Sequence, residues 1–359
     1  MRDILVTGAG RVRVGAGGVA GAAVTAALAA LTDAGMPRTE VTGLLAIGCD
    51  AVDVADALGL ELLWRAQEND TSVVGAGLVQ AVDAVAAGRT GTVVCVEALA
   101  PDPARARAVD RFGPAAAVAG RAGWHAPYGA DGALVGVALA ARAYIERYGL
   151  TRTELAQVAM VASANVGGGL RLRDYLAAPM LVDPLCLHDR ARPAGGAAAI
   201  VLSTRTSDAS PRIRVDGVGA AYAAGPLPEQ DATDGVAERA AAAMWADLSG
   251  APTDPDVALI GDEFSVAVLW WLEALGRCDA GAAGRFVATG AAISRGGVLP
   301  VNPHGGHLGT GRRPDLDLVV EAVAQLRGTA GRAQVRGGPT TAVVGLGGRA
   351  AAGCLLLRR

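Results

Sequence analysis

The chain has 359 residues, with 32 basic and 35 acidic side chains for a net charge of −3, and it is 52% hydrophobic, 19% charged and 4% aromatic with 50 glycines. Every basic residue is arginine, and the absence of lysine excludes Schiff-base aldolases, pyridoxal-phosphate enzymes and Walker A phosphate loops. The acidic balance lacks the field that nucleic-acid binding depends on, and the length allows two domains or one large duplicated α/β unit around a core of Ala, Val and Leu.

The opening residues, MRDILVTGAG, run directly into a strand-like segment and show no signal-peptide pattern. No apolar stretch reaches the roughly 18 residues of a membrane span without Gly or charge. A cytoplasmic protein without a membrane span is expected. Cys49, Cys95, Cys186, Cys278 and Cys354 are odd in number and never paired as C-x-x-C, so neither a disulfide framework nor a metal site is expected.

The apolar run at 4–7 predicts a strand, periodicity predicts a helix over 18–34, and 43–49 read as a strand ending in a turn. A helix over about 72–87 leads to the buried strand GTVVCVEAL at 91–99, and AAAIVLST at 197–204 closes a first half. The second half opens with a strand at 213–222, a helix over 233–248 and a strand at 257–263. There follow the helix FSVAVLWWLEALG, the loop GGVLPVNPHGGHLGTG, a helix over 316–326 and the strands TTAVVGLGG and AAGCLLLRR. The recurring β-α-β-α-β order predicts an internal duplication with halves at 1–211 and 212–359. An insertion over about 100–196, helical near 133–148 and 151–165, is expected to form a loop domain over one face. Gly8-Ala9-Gly10 invites a dinucleotide-binding reading, but the third glycine of that fingerprint falls on Arg13.

Four stretches carry a resemblance: DEFSVAVLWWLEALGRCDAGAAGRFV (262–287), GGVLPVNPHGGHLGTG (296–311), VVEAVAQLRGTAGRAQV (319–335) and PLCLHDRARPAGGAAAIVLS (184–203). Together they resemble the thiolase superfamily, most closely its lipid-transfer-protein (sterol-carrier-protein thiolase) branch. The resemblance implies two similar β-α-β-α-β halves in five α-β-α-β-α layers, with a loop domain and a homodimer. It also implies a coenzyme A thioester as substrate, no tightly bound cofactor, and a possible acyl-CoA-binding OB-fold partner protein.

The family's catalytic positions are substituted. The nucleophilic cysteine, at the start of a buried helix where the dipole favours a thiolate, falls on Thr71 or Ser72. The histidine of Gly-His-Pro falls on Arg312, the acid/base cysteine of the C-terminal Cys-x-Gly-Gly loop on Gly345, and the histidine of His-Asp-Cys-Phe on Gly261. The related steroid side-chain retro-aldolases use tyrosines, and no tyrosine stands in the C-terminal loops here.

The remaining candidates for acid–base work are His304 and His307, two histidines in one glycine-rich loop, and Glu263, at a strand end where open α/β folds place ligands. Each has a structural alternative: a loop histidine can bond backbone, and Asp262 and Glu263 complement a helix dipole. Ser72 can replace the nucleophile only with a base beside it, and otherwise serves as an N-cap. Asn302, Arg312 and the glycines Gly345, Gly347 and Gly348 are the expected substrate-binding positions, the glycines through backbone N–H groups that stabilise an oxyanion. Two functions remain open. The chain is either an enzyme that transfers an acyl group or makes or breaks a carbon–carbon bond on an acyl-CoA or acyl-carrier thioester, or a non-catalytic thiolase-fold subunit of an active partner.

Overall fold

The computed structural model describes residues 3–14, 17–70, 73–101, 133–205, 211–223, 235–248, 254–348 and 351–359. In chain order these give β1 (Leu5–Val12), α1 (Gly18–Ala34), β2 (Gly43–Ile47), α2 (Ala51–Leu58), β3 (Trp64–Glu68), α3 (Val74–Ala86) and β4 (Thr92–Leu99). The insertion contributes α4 (Ala133–Tyr148), α5 (Arg152–Asn165), α6 (Leu172–Leu176) and a small hairpin of β5 (Met180–Val182) and β6 (Leu185–Cys186). Then follow β7 (Gly196–Ser203), β8 (Ile213–Tyr222), α7 (Val236–Asp247), β9 (Val257–Ile260), α8 (Ser265–Ala274), α9 (Ala283–Val287), α10 (Gly306–Thr310), α11 (Leu316–Arg327), β10 (Thr341–Gly347) and β11 (Ala351–Arg358).

Nine strands form a mixed sheet in the order β3-β2-β4-β7-β1-β8-β11-β10-β9. On one side β2 and β4 are parallel while β4–β7 and β7–β1 are antiparallel; on the other, β9 and β10 are parallel while β10–β11 and β11–β8 are antiparallel. Strand order and sense therefore recur. The two sides meet through Leu5 opposite Arg214 and Val6 opposite Ile213. The counterpart of β3 is reduced to a bridge between Ala258 and Val301.

Strands buried on both faces divide their side chains between two cores, as a period of two requires. Leu44 and Ala46 join Val94 and Val96 under α1 and α2, whereas Leu45 and Ile47 join Val93 and Cys95 in a central core. Val257 and Leu259 also face the central core, and Ala258 and Ile260 face an outer core with α7 and α8. Helices α3 and α11 pack against strands of both sides, which makes them the middle of five α-β-α-β-α layers.

Helix α1 buries Ala22, Ala23, Ala26, Ala27, Ala30, Leu31 and Ala34, a stripe of strong helix formers. Its backbone comes so close to β1 that a Cβ on Gly8 would lie 2.1 Å from the Ala30 carbonyl oxygen. The equivalent contact recurs between β8 and α7, where a Cβ on Gly219 would lie 2.1 Å from the Ala240 oxygen. The Gly-x-Gly pairs Gly8/Gly10 and Gly217/Gly219 are thus close-packing devices, which accounts for the glycines after the first strand without a dinucleotide.

Most expected strands and helices sit within a few residues of the observed ones, but the strand expected over 4–7 continues to Val12, the strand expected over 257–263 stops at Ile260, and α2, β3, α6, the β5–β6 hairpin, α9 and α10 were not expected. Helix α2 is capped at its start by Asp50, whose carboxylate accepts the N–H groups of Val52 and Asp53, and at its end by Gly59 in a left-handed conformation (φ 65°). Strand β3 is a short edge strand of alternating exposure, without the apolar run that marks the buried strands.

Candidate active site

The ends of β4 and β9 converge with the loop before β7 and the loop between α10 and α11. They enclose a cavity of about 220 Å³ whose walls include Leu99, Ala100, Arg190, Ala191, Glu263 and Arg312. The loop before β7 is fastened there by Ala191 N–H donating to the Glu263 carbonyl at 2.8 Å and by Arg312 N–H donating to the Arg192 carbonyl at 2.6 Å.

Arg312 organises the polar side of this cavity. Its Nε donates to Glu263 Oε2 at 3.2 Å and its Nη1 to Asp315 Oδ1 at 2.8 Å. Burial works against the guanidinium charge, but Asp315, Glu263 and Glu97 outweigh it and raise its pKa further. The same Asp315 oxygen takes Nε2 of the buried His307 at 2.9 Å. Arg313 N–H approaches His307 Nδ1 at 3.4 Å, an arrangement that assigns the ring proton to Nε2. Burial pushes the Asp315 carboxyl up, yet Arg312 and His307 hold it below the usual range.

Asp262 caps α10 from outside the helix, accepting the His307 N–H at 2.6 Å; burial raises its pKa, with His307 opposing. A side chain on Gly306 would strike this carboxylate, with a Cβ 2.1 Å from Oδ2. The glycine run 305–306 thus lets the loop close over Asp262.

The structure distributes the expected site residues unevenly. Glu263 and Arg312 share the cavity wall. His307 stands behind them, joined through Asp315. His304 faces Glu321, Asp317 and Arg11, with its Nδ1 sealed from solvent and unpartnered; burial lowers its pKa. Asn302 (φ 45°) turns its amide onto the end of β9, accepting from Ile260 N–H and donating to Ile260 C=O, both at 2.8 Å. Gly345 lies within β10 against the Trp271 ring and its carbonyl accepts Gly261 N–H. The Gly347 carbonyl accepts Trp271 Nε1 at 3.1 Å, and Gly348 N–H donates to Ala351 C=O. Ser72 and Thr71 lie outside the described residues. So does His125.

No described cysteine offers a ready nucleophile: burial pushes Cys49 up to about 11, and Cys95 and Cys354 higher still. Among the described residues no group of three or more His, Cys, Asp or Glu could hold a metal ion. None of the described helices is long and apolar enough to cross a membrane.

Two groups escaped the sequence reading. Asp315 sits at the N-terminus of α11, where an Asp before an apolar run is itself a helix-start signal. Glu97 is fully buried at the end of β4, a carboxylate inside an otherwise apolar run, and its isolation there is the signal that could have found it.

A duplicated β-α-β-α-β scaffold in five layers, with polar groups gathered at its strand ends, defines a thiolase-like α/β protein. Residues 227–357 match the family described as Thiolase C-terminal domain-like. The chain is 30% identical over 337 residues to a steroid side-chain-cleaving aldolase of Thermomonospora curvata, covering 86% of this chain and 85% of that protein. It is 30% identical over 339 residues to a 17-hydroxy-3-oxo-4-pregnene-20-carboxyl-CoA lyase of Mycobacterium tuberculosis, covering 86% of each. The solved structure titled Ltp2-ChsH2(DUF35) aldolase superimposes with a TM-score of 0.84 at 26% identity, over 99% of this chain and 97% of that one. The chain belongs to the thiolase superfamily, in its lipid-transfer-protein thiolase-like branch.

Proposed function

We propose that the protein is a carbon–carbon lyase that acts beside the carbonyl of an acyl-CoA or acyl-carrier thioester, without a cysteine nucleophile. The observation that carries this reading is the Glu263–Arg312 pair, 3.2 Å apart on the wall of the cavity. Its setting is a chain that shares 30% identity with an aldolase and a CoA lyase.

For a thioester with a hydroxyl on its β-carbon, Glu263 takes the hydroxyl proton. The Cα–Cβ bond then breaks and its electron pair moves onto the thioester carbonyl, leaving an enolate and a ketone or aldehyde. Arg312 lies where a fixed cation stabilises that oxyanion, and the proton returns to Cα to complete the shorter thioester. In this scheme the oxyanion role rests on Arg312, because the Gly348 N–H is already bonded to Ala351. Retro-aldol cleavage forms no acyl-enzyme, so it tolerates buried, unreactive thiols.

The halves 1–211 and 212–359, a homodimer and an OB-fold acyl-CoA-binding partner complete the proposal. The recurring strand order supports the first, and the two-component name of the similar aldolase, Ltp2-ChsH2(DUF35), supports a partner. The runner-up reading, a non-catalytic subunit, draws on the same two-component likeness.

The test incubates the purified protein, alone and with its candidate partner, with 3-hydroxyacyl-CoAs and follows the shorter CoA thioester and the carbonyl product by mass spectrometry. Glu263→Gln should lower turnover by about 10²–10⁴-fold. Equal turnover by wild type and variant removes Glu263 from the mechanism, and no cleavage in either mixture favours the non-catalytic reading.

A further inference from the structure

Glu97 has no part in the scheme above, and its surroundings are unusual for a carboxyl group. It is 0% exposed at the end of β4. Its Oε2 accepts the Leu316 N–H at 2.8 Å, at the N-terminus of α11, while its Oε1 is buried with no partner. A charged carboxylate with an orphaned, desolvated oxygen is costly; a carboxylic acid in the same place is much less so.

The groups facing it point the same way. Asp315 and Arg312 approach from the loop before α11, and Cys49 from the end of β2. Arg312 already serves Asp315 and Glu263. Asp315 receives both Arg312 and His307, whereas the side-chain oxygens of Glu97 meet backbone N–H alone. Of two carboxyls at one helix N-terminus, the one with the side-chain donors keeps the charge and the other keeps a proton. Burial, and then Asp315, accordingly push Glu97 well above the usual carboxylate range.

We propose that Glu97 is a positioning residue that works as a neutral acid, bracing the N-terminus of α11 without charge so that Asp315 and Glu263 alone divide Arg312 between them. When Glu97 loses its proton at high pH, a third carboxylate joins the competition and draws the guanidinium off Glu263. The kinetic part of this proposal rests on the lyase reading; the protonation part does not.

Glu97→Gln tests both parts, since an amide keeps the shape and an acceptor for Leu316 N–H but carries no charge. Its kcat and KM should stay within about two-fold of wild type near neutral pH, with the alkaline decline of kcat/KM moved to higher pH. The stability sign follows from a folded-state pKa raised above the unfolded one: the contribution is full below the ordinary carboxylate pKa and lost as pH rises toward that of Glu97. The melting temperature of the wild type should therefore fall behind that of the variant as pH rises from about 4 to about 8, the gap closing at the acid end. Infrared spectra of the wild type near neutral pH should show the carbonyl stretch of a buried carboxylic acid that the variant lacks.

A loss of turnover in Glu97→Gln as severe as in Glu263→Gln overturns the proposal. So does a melting gap that stays flat with pH. An infrared band and a widening gap in a protein that cleaves no thioester support the neutral acid and count against the lyase reading alone.

Discussion

The two sides of the sheet repeat each other in strand order and in the glycine contacts that seat α1 on β1 and α7 on β8, yet they differ at the third strand. On the first side β3 runs for five residues beside β2. On the second side that strand has shrunk to a bridge, and the end of β9 is completed by a side chain, the amide of Asn302. His307, Arg312 and Asp315 lie in the stretch that follows this bridge, and Asp262 lies just past the end of β9. A duplicated scaffold can keep its core in both copies while one copy trades regular pairing for loops that carry charged side chains into the interior.

The largest expected effect breaks the polar loops of the second side. Arg312→Lys keeps the charge but cannot hold Glu263 and Asp315 at once in the planar fork of a guanidinium, so kcat/KM for thioester cleavage should fall by about 10²–10³-fold. Wild-type kinetics in this variant would detach the ion pair from the chemistry. Asn302→Ala should come next, removing both hydrogen bonds to Ile260 and leaving a buried N–H and C=O unpaired, for a loss of about 3 kcal/mol in urea unfolding. The comparison is then sharpened by Gly8→Ala and Gly219→Ala. Each forces a Cβ onto a helix carbonyl at 2.1 Å, and each should cost about 1–3 kcal/mol by the same measurement. Unequal losses would show that the two copies of this contact have diverged.

What the sequence made legible follows the same division. The Ala-rich stripe of α1 declares itself as one buried helix face, and the runs of β4 and β7 because burial on both faces leaves them almost wholly apolar. Arg312 was found as a departure from a family pattern and Glu263 as a carboxylate at a strand end, and they share the cavity wall. Asp315 and Glu97 were invisible as partners, since Glu97 meets Leu316, 219 positions further along the chain, only when α11 is laid across the end of β4. Asn302 was expected as a substrate-binding position; that its amide holds the end of β9 is a fact of tertiary pairing, which no spacing rule encodes.

The smallest expected effect separates the two histidines of one loop. His307 has a partner at each ring nitrogen, whereas His304 has a buried Nδ1 with none. Around His304 stand Glu321, Asp317, Arg11 and His307, and burial lowers its pKa in spite of the two carboxylates. A depressed folded-state pKa contributes stability that is full above the ordinary histidine value and lost as pH falls through that range, because the unfolded chain takes up a proton that the folded chain refuses. The melting temperature should therefore drop between about pH 7.5 and about pH 5.5, and His304→Gln, which carries no titrating ring, should drop less over the same interval. Parallel curves for the two proteins would mean that His304 accepts its proton in the folded state and is not kept neutral by its burial.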